Sequence, residues 1–320
     1  MIGFSSAFAQ KLDAMLDYRE ACGFKRDKHL RNLLRFDTFC RENYPDVSML
    51  DHETVHRWIE SETARGYGIL GKSTSIRQFG KYLNAVGEKA YILPEKFSYQ
   101  DKRKAPHILT DAELTALFAA VDRLPPDDAE PYTAEIAPVL FRLIYTCGLR
   151  PNEGREILHE NVNHNTGEVL ITHTKSNRER IVVMSDDMLD MCRRYDLRRS
   201  IFCEDNPYYF PSHNGGAITS SWQYKMLNTA WFSVACSPQN PAPRPIRVYA
   251  LRHRFASACL NRWLDNGDNI MSLLPYLRAF MGHGDISETA YYVHLLPERL
   301  VKSAGIDWAK LNALLPEVDA

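Results

Sequence analysis

Met281-Gly-His-Gly-Asp-Ile-Ser-Glu-Thr-Ala-Tyr-Tyr-Val-His294 places two histidines, a threonine and paired tyrosines at fixed intervals. Alone, this segment suggests a site without identifying its chemistry. Three distant segments carry cationic side chains: Gly148-Leu-Arg-Pro-Asn-Glu153, Thr174-Lys-Ser-Asn177 and Tyr249-Ala-Leu-Arg-His253. Cleavage of a phosphodiester bond by a side chain needs an attacking oxygen, cations for the phosphate oxygens and an acid for the leaving oxygen. The four segments contain all of these groups.

Length and composition are those of an ordinary globular protein. The 320 residues are enough for two domains, each with its own core. No apolar run approaches the roughly 18 residues that a membrane-spanning helix needs, so a membrane role is disfavoured. The first ten residues lack the basic start and apolar core of a secretory signal, and we expect a cytoplasmic location. The seven cysteines include no C-x-x-C pair, which favours reduced thiols.

Positive charge is concentrated in the front third of the chain. The net charge is −1, yet residues 1–106 hold 18 Lys and Arg against 14 Asp and Glu. Such an asymmetry favours contact between this region and nucleic acid, although a solvated helix face is the alternative. The candidate DNA-binding residues are Lys25, Arg26, Lys28, Arg31, Lys72, Arg77, Lys81, Lys102, Arg103 and Lys104.

The pattern of apolar residues predicts two domains. From residue 8 to about 99, apolar side chains recur at helical spacing, which fits about four helices. Asp101-Lys-Arg-Lys-Ala-Pro106 has the composition of a linker. Thr110-Asp-Ala-Glu113 then forms a capping box that begins a new helix. We therefore predict a helical domain with a basic linker over 1–106 and a second domain over 107–320.

The second domain is predicted to be mainly helical with a small sheet, an α+β class. A helix from Ile136 to Ile144 is expected to stop at Gly148. Two β-rich runs, 167–174 and 180–184, predict a hairpin with Lys175 at its tip. Loops are predicted at 214–216 and 237–245, an extended loop at 263–271, and a final helix over 306–315.

In the order and local spacing of these groups, residues 107–300 resemble the tyrosine recombinase (phage integrase) family. The front region is similar to that family's helical DNA core-binding domain. Gly148-Leu-Arg-x-x-Glu153 resembles the first arginine motif. The resemblance implies that Arg150 clamps the phosphate and that Glu153 positions Arg150. Leu251-Arg-His-x-Phe-Ala256 resembles the second arginine box, which implies Arg252 as the second clamp and His253 as a supporting residue.

The remaining roles follow from the same resemblance. Lys175 is implied as the general acid for the leaving 5′ oxygen. Gly282-His283, Thr289 and Tyr292-x-His294 match the family's terminal motif, which makes Tyr292 the nucleophile and His283 a hydrogen-bond donor to the phosphate. Thr289 and His294 are supporting residues, and position favours Tyr292 over Tyr291.

One position departs from the family's pattern. Three residues before the second arginine the family usually has histidine, whereas this chain has Tyr249. A phenol can bind a phosphate oxygen, but with a pKa of about 10 it is a poor base at neutral pH. We therefore include Tyr249 among the catalytic candidates and expect an altered route for the proton.

Each motif also has a structural interpretation when taken alone. Arg150 and Arg252 could be ordinary arginines at helix ends, Lys175 a solubilising hairpin lysine, and His283 a capped, buried histidine. Their joint order supports the functional interpretation. No cysteine or carboxylate joins His283 and His294 at ligand spacing, so no metal is expected.

The resemblance implies a site-specific recombinase that forms a 3′-phosphotyrosyl intermediate and needs no ATP, metal or other cofactor. Its partners would be double-stranded DNA and further copies of the chain, assembled as a tetramer on two DNA sites. Integration, excision or transposition of a mobile element is the expected role. The alternatives are a type IB topoisomerase or telomere resolvase, and a DNA-binding regulator of the same fold that does not cut.

Overall fold

The structure, a computed structural model, describes residues 3–24, 26–98, 106–126, 130–172, 179–203, 205–237 and 240–294, with the main chain only at 27, 28, 96, 98 and 294. The chain divides into two compact units, Met1–Lys104 and Ala105–Ala320. Among the helices described, none has the length and apolar character that crossing a bilayer requires.

The front unit is helical, as its apolar spacing predicts. Its elements are α1 (Ala9–Ala21), α2 (Asp27–Asn43), α3 (His52–Ala64), α4 (Leu70–Ala85) and a 3-10 helix at Glu95–Ser98. Aromatic side chains pack within the core, where the rings of Phe36 and Trp58 meet edge to face with centroids 5.2 Å apart. Such pairs add specific ring contacts to the burial of large apolar surfaces.

The second unit is mainly helical with two small antiparallel sheets, which confirms the predicted fold class. Its helices are α5 (Asp111–Val121), α6 (Thr133–Thr146), α7 (Pro151–Arg155), α8 (Asp186–Phe202), α9 (Ser220–Ala235), α10 (Tyr249–Asp265), α11 (Ile270–Met281) and α12 (Ile286–His294), with a 3-10 helix at His159–Asn161. The strands are β1 (Glu168–Ile171), β2 (Arg180–Val183), β3 (Pro211–Ser212) and β4 (Gly216–Ala217).

Local signals in the sequence correctly locate several of these elements. Thr110 and Glu113 form the predicted capping box, with Glu113 N donating to Thr110 Oγ1 at 3.2 Å and Thr110 N donating to Glu113 Oε2 at 2.8 Å. α6 ends at Thr146, and Gly148 follows with a positive φ of 58°. β1 and β2 pair antiparallel, as predicted, with Val169 opposite Val182.

One loop prediction is wrong, and another falls on a turn. No extended loop covers 263–271, because α10 continues to Asp265 and α11 begins at Ile270. The segment around 214–216 is the turn of a short hairpin, in which Ser212 pairs with Gly216. The predicted helix at 306–315 lies outside the described residues.

Two clusters of apolar side chains support the elements that carry the candidate site. α6 is buried along one face through Ile136, Leu140 and Ile144, which holds the start of α7 in place. A separate cluster joins α10, α11 and α12 through residues such as Leu260 and Val293. This second cluster fixes the helix that carries Tyr292 against the helix that carries Arg252.

Candidate active site

Arg150 and Glu153 form the first part of the site at the N-terminus of α7. Glu153 accepts hydrogen bonds from Arg150 N at 2.9 Å and from Arg150 Nη1 at 2.8 Å. A carboxylate in the first turn satisfies an amide group that the helix itself cannot bond. The same contact orients the guanidinium group of Arg150, so a local motif builds this pair.

A second arginine, Arg180 at the start of β2, binds the same carboxylate. Arg180 Nη1 and Nη2 donate to the two Glu153 oxygens at 3.1 and 2.7 Å, in a bidentate pair. Burial alone would raise the pKa of Glu153, but hydrogen bonds and charge from Arg180 and Arg150 outweigh burial and lower that pKa. The sequence pattern does not predict a role for Arg180, whose signal is a cation at the start of a predicted strand, shortly after Lys175.

Three consecutive carbonyl groups at the C-terminal end of α11 each accept a hydrogen bond from a different arginine. Phe280 O accepts from Arg180 Nε at 2.9 Å and Met281 O from Arg252 Nη2 at 2.8 Å. Gly282 O accepts from Arg150 Nη2 at 2.7 Å. Carbonyl groups at a helix C-terminus lack helical partners and carry partial negative charge, so they hold a concentration of cations that would otherwise repel one another.

Arg252 is the most deeply buried of these cations, with 1% of its surface exposed. Its second terminal nitrogen, Nη1, donates to Gly148 O at 2.6 Å, whereas Nε makes no hydrogen bond within the described residues. Burial and the neighbouring Arg150 cation lower the pKa of Arg252. The position of this guanidinium group is therefore set by carbonyl groups from two turns of the chain.

Glycine is required at both of those turns. Gly148 and Gly282 adopt positive φ values of 58° and 66°, in the left-handed region that strains other residues. A Cβ atom at Gly148 would lie 2.4 Å from Phe255, and one at Gly282 would lie 2.7 Å from Arg180 Nη1. These glycines allow the main chain to approach Arg150, Arg180 and Arg252 closely, and these three residues are called the arginine cluster below.

His283 follows directly after this helix end and is nearly buried. Its Nδ1 lies 2.7 Å from Thr289 Oγ1, and its ring stacks on Tyr292 with centroids 5.9 Å apart. Burial, followed by the charges of Arg252 and Arg150, lowers the pKa of His283 to about 3. At neutral pH the ring is therefore uncharged, and with Nδ1 engaged by Thr289 it has only Nε2 to offer a phosphate.

Tyr292 lies inside the site and Tyr291 outside it. Tyr292 is 3% exposed and Tyr291 is 43% exposed, because consecutive residues of α12 point about 100° apart. Burial raises the pKa of Tyr292, and the Arg252 cation partly offsets that rise. The structure thus brings one tyrosine, and not its neighbour, to the arginine cluster.

The Tyr292 hydroxyl contacts His253, which sequence reasoning assigned only a supporting place. Tyr292 Oη and His253 Nδ1 are 3.2 Å apart. Burial, and then the charge of Arg252, lowers the pKa of His253 to about 4. Tyr249 lies one turn earlier on α10, and the centre of its ring is 5.6 Å from that of His253. The Tyr249 side chain is 38% exposed and makes no hydrogen bond to Tyr292 in the described part of the chain.

The structure does not describe the side chains of two predicted site residues. Lys175 is outside the described residues, as is the side chain of His294. Over the described ranges, no three His, Cys, Asp or Glu residues lie together in a way that could hold a metal ion.

Two of the predicted DNA-binding residues in the front unit are buried and have partners inside it. Lys72 is 6% exposed and pairs with the buried carboxylate of Glu62 at 3.2 Å. Arg77 is 8% exposed and donates to Leu93 O at 2.7 Å and Pro94 O at 2.8 Å. Both cations stabilise the helical unit from within, so their side chains are not available to DNA phosphates.

The other predicted cations of this unit differ in what they contact. Arg26 pairs with Asp13 and Asp17, and Lys81 lies 3.5 Å from Glu95. Arg31 is exposed at the rim of an open groove. The other basic candidates, Lys25, Lys28, Lys102, Arg103 and Lys104, lie outside the described residues or have undescribed side chains.

Comparisons with known proteins agree with this arrangement. Residues 107–299, more than half of the chain, match the Phage integrase family. The integrase/recombinase y4rB of Sinorhizobium fredii is 25% identical, covering 93% of this chain and 96% of its own. Tyrosine recombinase XerD of Rhizobium meliloti is 25% identical, covering 94% of each chain.

A solved structure shares the fold. The Tn1549 transposon integrase, in complex with a circular intermediate DNA, superposes with a TM-score of 0.65 at 15% identity, covering 90% of this chain and 94% of its own. The match to the family includes every described residue of the arginine cluster together with Tyr292. The chain therefore belongs to the phage integrase family, the tyrosine recombinases.

Proposed function

We propose that the protein is a site-specific DNA recombinase that cuts and rejoins strands through a 3′-phosphotyrosyl link to Tyr292. The observation that carries this proposal is the buried Tyr292 hydroxyl, set beside Arg252 and stacked on His283. A phenol in a low-dielectric site with fixed cations can attack phosphorus while those cations stabilise the charge that develops. Neighbouring Tyr291 lacks this environment.

Arg150 and Arg252 serve as the phosphate clamps in this proposal. Both now donate to main-chain carbonyl groups at the end of α11, and a phosphate oxygen is a stronger, charged acceptor for the same donors. Glu153 and Arg180 position Arg150, because Glu153 binds both guanidinium groups at once. His283 supplies a donor to a phosphate oxygen.

In the proposed reaction, the covalent link between Tyr292 and DNA keeps the energy of the phosphodiester bond that is broken. As the Tyr292 oxygen bonds to phosphorus, the bond to the 5′ oxygen breaks, and Lys175 donates a proton to the leaving oxygen. The 5′-hydroxyl of another strand then attacks the phosphotyrosyl link and releases Tyr292. Because no phosphoryl bond energy is lost between the two steps, the reaction proceeds without ATP, and side-chain cations take the place of a metal ion.

We propose a DNA-contact surface on the front unit that differs from the one expected from sequence. An open groove of 570 Å³ is lined by Arg31, Arg35 and Arg65 around the ring of Tyr67, together with Glu42 and Glu62. Arg35 and Arg65 pair with Glu62, at 3.3 and 3.4 Å, but keep side chains 38% and 62% exposed. The Arg35 guanidinium lies 4.2 Å from the centre of that ring. An arginine held on an aromatic ring, as Arg35 is, presents donors to phosphate oxygens in a fixed direction. The front unit, over residues 1–106, thus acts as the core-binding domain and residues 107–320 as the catalytic domain.

We propose that the active assembly is a tetramer on two DNA sites. Exchange between two duplexes needs each of the strands to be cut, and each copy of the chain has one buried tyrosine at its arginine cluster.

Support for a mobile-element role comes from the shared fold of the Tn1549 transposon integrase and its circular intermediate DNA. We place the protein in the cytoplasm, bound to DNA.

Covalent capture tests this function. A library of nicked duplexes with randomised cores is incubated with the protein, and members that stay linked to protein in detergent are sequenced. The nick lets the cleaved fragment diffuse away and so traps the link. Tyr292→Phe is expected to abolish capture while DNA binding is retained, and Tyr291→Phe is the matched control that should still capture DNA. Capture that survives Tyr292→Phe but is lost in Tyr291→Phe would overturn the assignment.

Further assays with the protein and the captured DNA sequence distinguish the recombinase from the other candidate functions. Relaxation of a supercoiled plasmid that lacks the captured sequence would identify a topoisomerase of this fold. Specific binding without any protein-linked DNA would identify a regulator that does not cut. The recombinase assignment requires both linked DNA and joining of that DNA to a second duplex.

A further inference from the structure

We infer that His253 accepts the proton of the Tyr292 hydroxyl. It would take over the role of the histidine that the family usually has where this chain has Tyr249. This inference rests on the proposed phosphotyrosyl chemistry. The observation behind it is the 3.2 Å contact between His253 Nδ1 and Tyr292 Oη. His253 therefore touches the reacting oxygen itself.

Geometry favours His253 over the other two candidates. Tyr249 makes no hydrogen bond to Tyr292 in the described residues, and a phenol is a weak acceptor of a proton at neutral pH. His283 has its Nδ1 committed to Thr289 at 2.7 Å, and its ring lies parallel to that of Tyr292 at an interplanar angle of 14°. Among these three side chains, His253 is the one that places a hydrogen-bonding atom within 3.2 Å of the Tyr292 hydroxyl.

The surroundings of His253 keep that nitrogen able to accept. Its pKa is lowered to about 4 by burial and by the adjacent Arg252 cation, so the ring is neutral in the physiological range. With the ring proton on Nε2, the Nδ1 lone pair receives the hydrogen bond from Tyr292. The aromatic and charged groups that face it are Tyr249 and Arg252 from α10 and Tyr292 from α12. Bound phosphate adds negative charge and favours the imidazolium ion at the moment when it forms.

The proton balance is complete in both directions. During cleavage, the Tyr292 proton moves to His253 Nδ1 as the oxygen bonds to phosphorus, and Lys175 protonates the departing 5′ oxygen. During rejoining, the 5′-hydroxyl gives up its proton to the lysine while His253 returns a proton to the released Tyr292 oxygen. Both groups end a full cycle in the state in which they began.

The position on α10 explains how a histidine at 253 can replace one at 249. Residues four apart on a helix lie on the same face, and the rings of Tyr249 and His253 are 5.6 Å apart. A proton acceptor moved by one helical turn can therefore approach the same hydroxyl. Tyr249→His is therefore expected to restore part of the cleavage rate that His253→Asn loses.

Single-turnover cleavage of the captured nicked duplex tests this role. His253→Asn keeps a hydrogen-bonding group near Nδ1 but cannot take a proton, and we expect cleavage at pH 7 to slow by about 100-fold with DNA affinity unchanged. The loss should shrink as pH rises, because hydroxide replaces the missing base. Added imidazole should accelerate His253→Ala, and Tyr249→His should accelerate His253→Asn. Thermal unfolding verifies the fold, and His159→Asn is the histidine control.

The outcomes distinguish the inference from the function on which it rests. Cleavage by His253→Asn at close to the unchanged rate would overturn the inference. A slow variant whose deficit is equal at every pH, and which imidazole does not accelerate, would also overturn it by showing a purely positioning role. If the unchanged protein captures no DNA from the library, then the proposed function itself fails, whatever His253 does.

Discussion

Glu153 and Arg180 are joined by two hydrogen bonds of 2.7 and 3.1 Å between atoms that lie 27 residues apart in the chain. The carboxylate belongs to the first turn of α7 and the guanidinium group to the first residue of β2. The same carboxylate holds Arg150, so one buried anion sets the positions of two cations. The arginine cluster therefore depends on β2 as well as on the α7 motif.

Replacement of Glu153 by glutamine should destabilise the catalytic unit. Glutamine has nearly the same size, but its side-chain amide carries no charge. Its NH2 group would face the N–H donors of the arginines and could not accept hydrogen bonds from them. The side chains of Arg150 and Arg180, which are 14% and 11% exposed, would keep their charge without a carboxylate partner. Because an unpaired buried charge is costly, we expect the free energy of unfolding to fall by about 3 kcal/mol. Urea unfolding measures this change.

Glu156→Gln is the matched control for that variant. Glu156 pairs with Arg155 at the end of α7, where the two side chains are 29% and 20% exposed. A more exposed pair of this kind contributes at most about 1 kcal/mol. Equal losses in the two variants would contradict the central role of Glu153.

The parts of the site that a sequence can predict are those built from neighbouring residues. The hydrogen bonds between Arg150 and Glu153 span one helical turn, and position within the terminal motif favours Tyr292, the buried tyrosine, over Tyr291. Arg180 was not selected, because its partners are a carboxylate 27 residues earlier and a carbonyl group 100 residues later. The His253 contact is similar, since only the packing of α10 against α12 reveals which ring nitrogen meets the hydroxyl.

The front unit shows why charge alone is a poor guide to a binding surface. Lys72 and Arg31 are both cations on predicted helices, yet Lys72 faces buried Glu62 and Arg31 faces solvent. Nothing in the local pattern of Lys72 shows that Glu62, on another helix, turns its carboxylate inward. The burial of Arg77 depends likewise on main-chain carbonyl groups beyond the end of its own helix.

Gly282→Ala should displace the arginine cluster. The φ of 66° at Gly282 strains any residue with a Cβ atom, and that atom would lie 2.7 Å from Arg180 Nη1. We expect a loss of about 2 kcal/mol in the free energy of unfolding and slower cleavage, because Gly282 O also binds Arg150. Gly284→Ala is the control, since a Cβ atom there meets nothing within 4 Å. Similar stability in the two alanine variants would contradict this account.

Acid should destabilise the catalytic unit through its buried histidines. Burial lowers the pKa of His283 to about 3 and that of His253 to about 4, whereas an unfolded histidine has a pKa of about 6.5. Below pH 6.5 the unfolded chain therefore binds protons that the folded chain excludes, and stability falls as pH falls toward 4. Each such group contributes a slope of up to about 1.4 kcal/mol per pH unit.

His283→Asn isolates the contribution of one ring to that slope. Asparagine can keep a hydrogen bond to Thr289 but has no titrating group. We expect urea unfolding between pH 6.5 and 4 to show a shallower dependence in the variant than in the unchanged protein, even if the variant is less stable throughout. Parallel curves would show that His283 is not held neutral by the fold.

The salt dependence of DNA binding should distinguish Arg31 from Lys72. Each phosphate contact releases counterions, so loss of one contact lowers the slope of log affinity against log salt by about 1. Arg31→Gln removes an exposed cation from the rim of the Arg31, Arg35 and Arg65 groove and should lower that slope without changing thermal stability. Lys72→Met breaks a buried ion pair with Glu62, so it should lower thermal stability and leave the slope unchanged. The reverse pattern would return Lys72 to the DNA-contact surface and remove the groove from it.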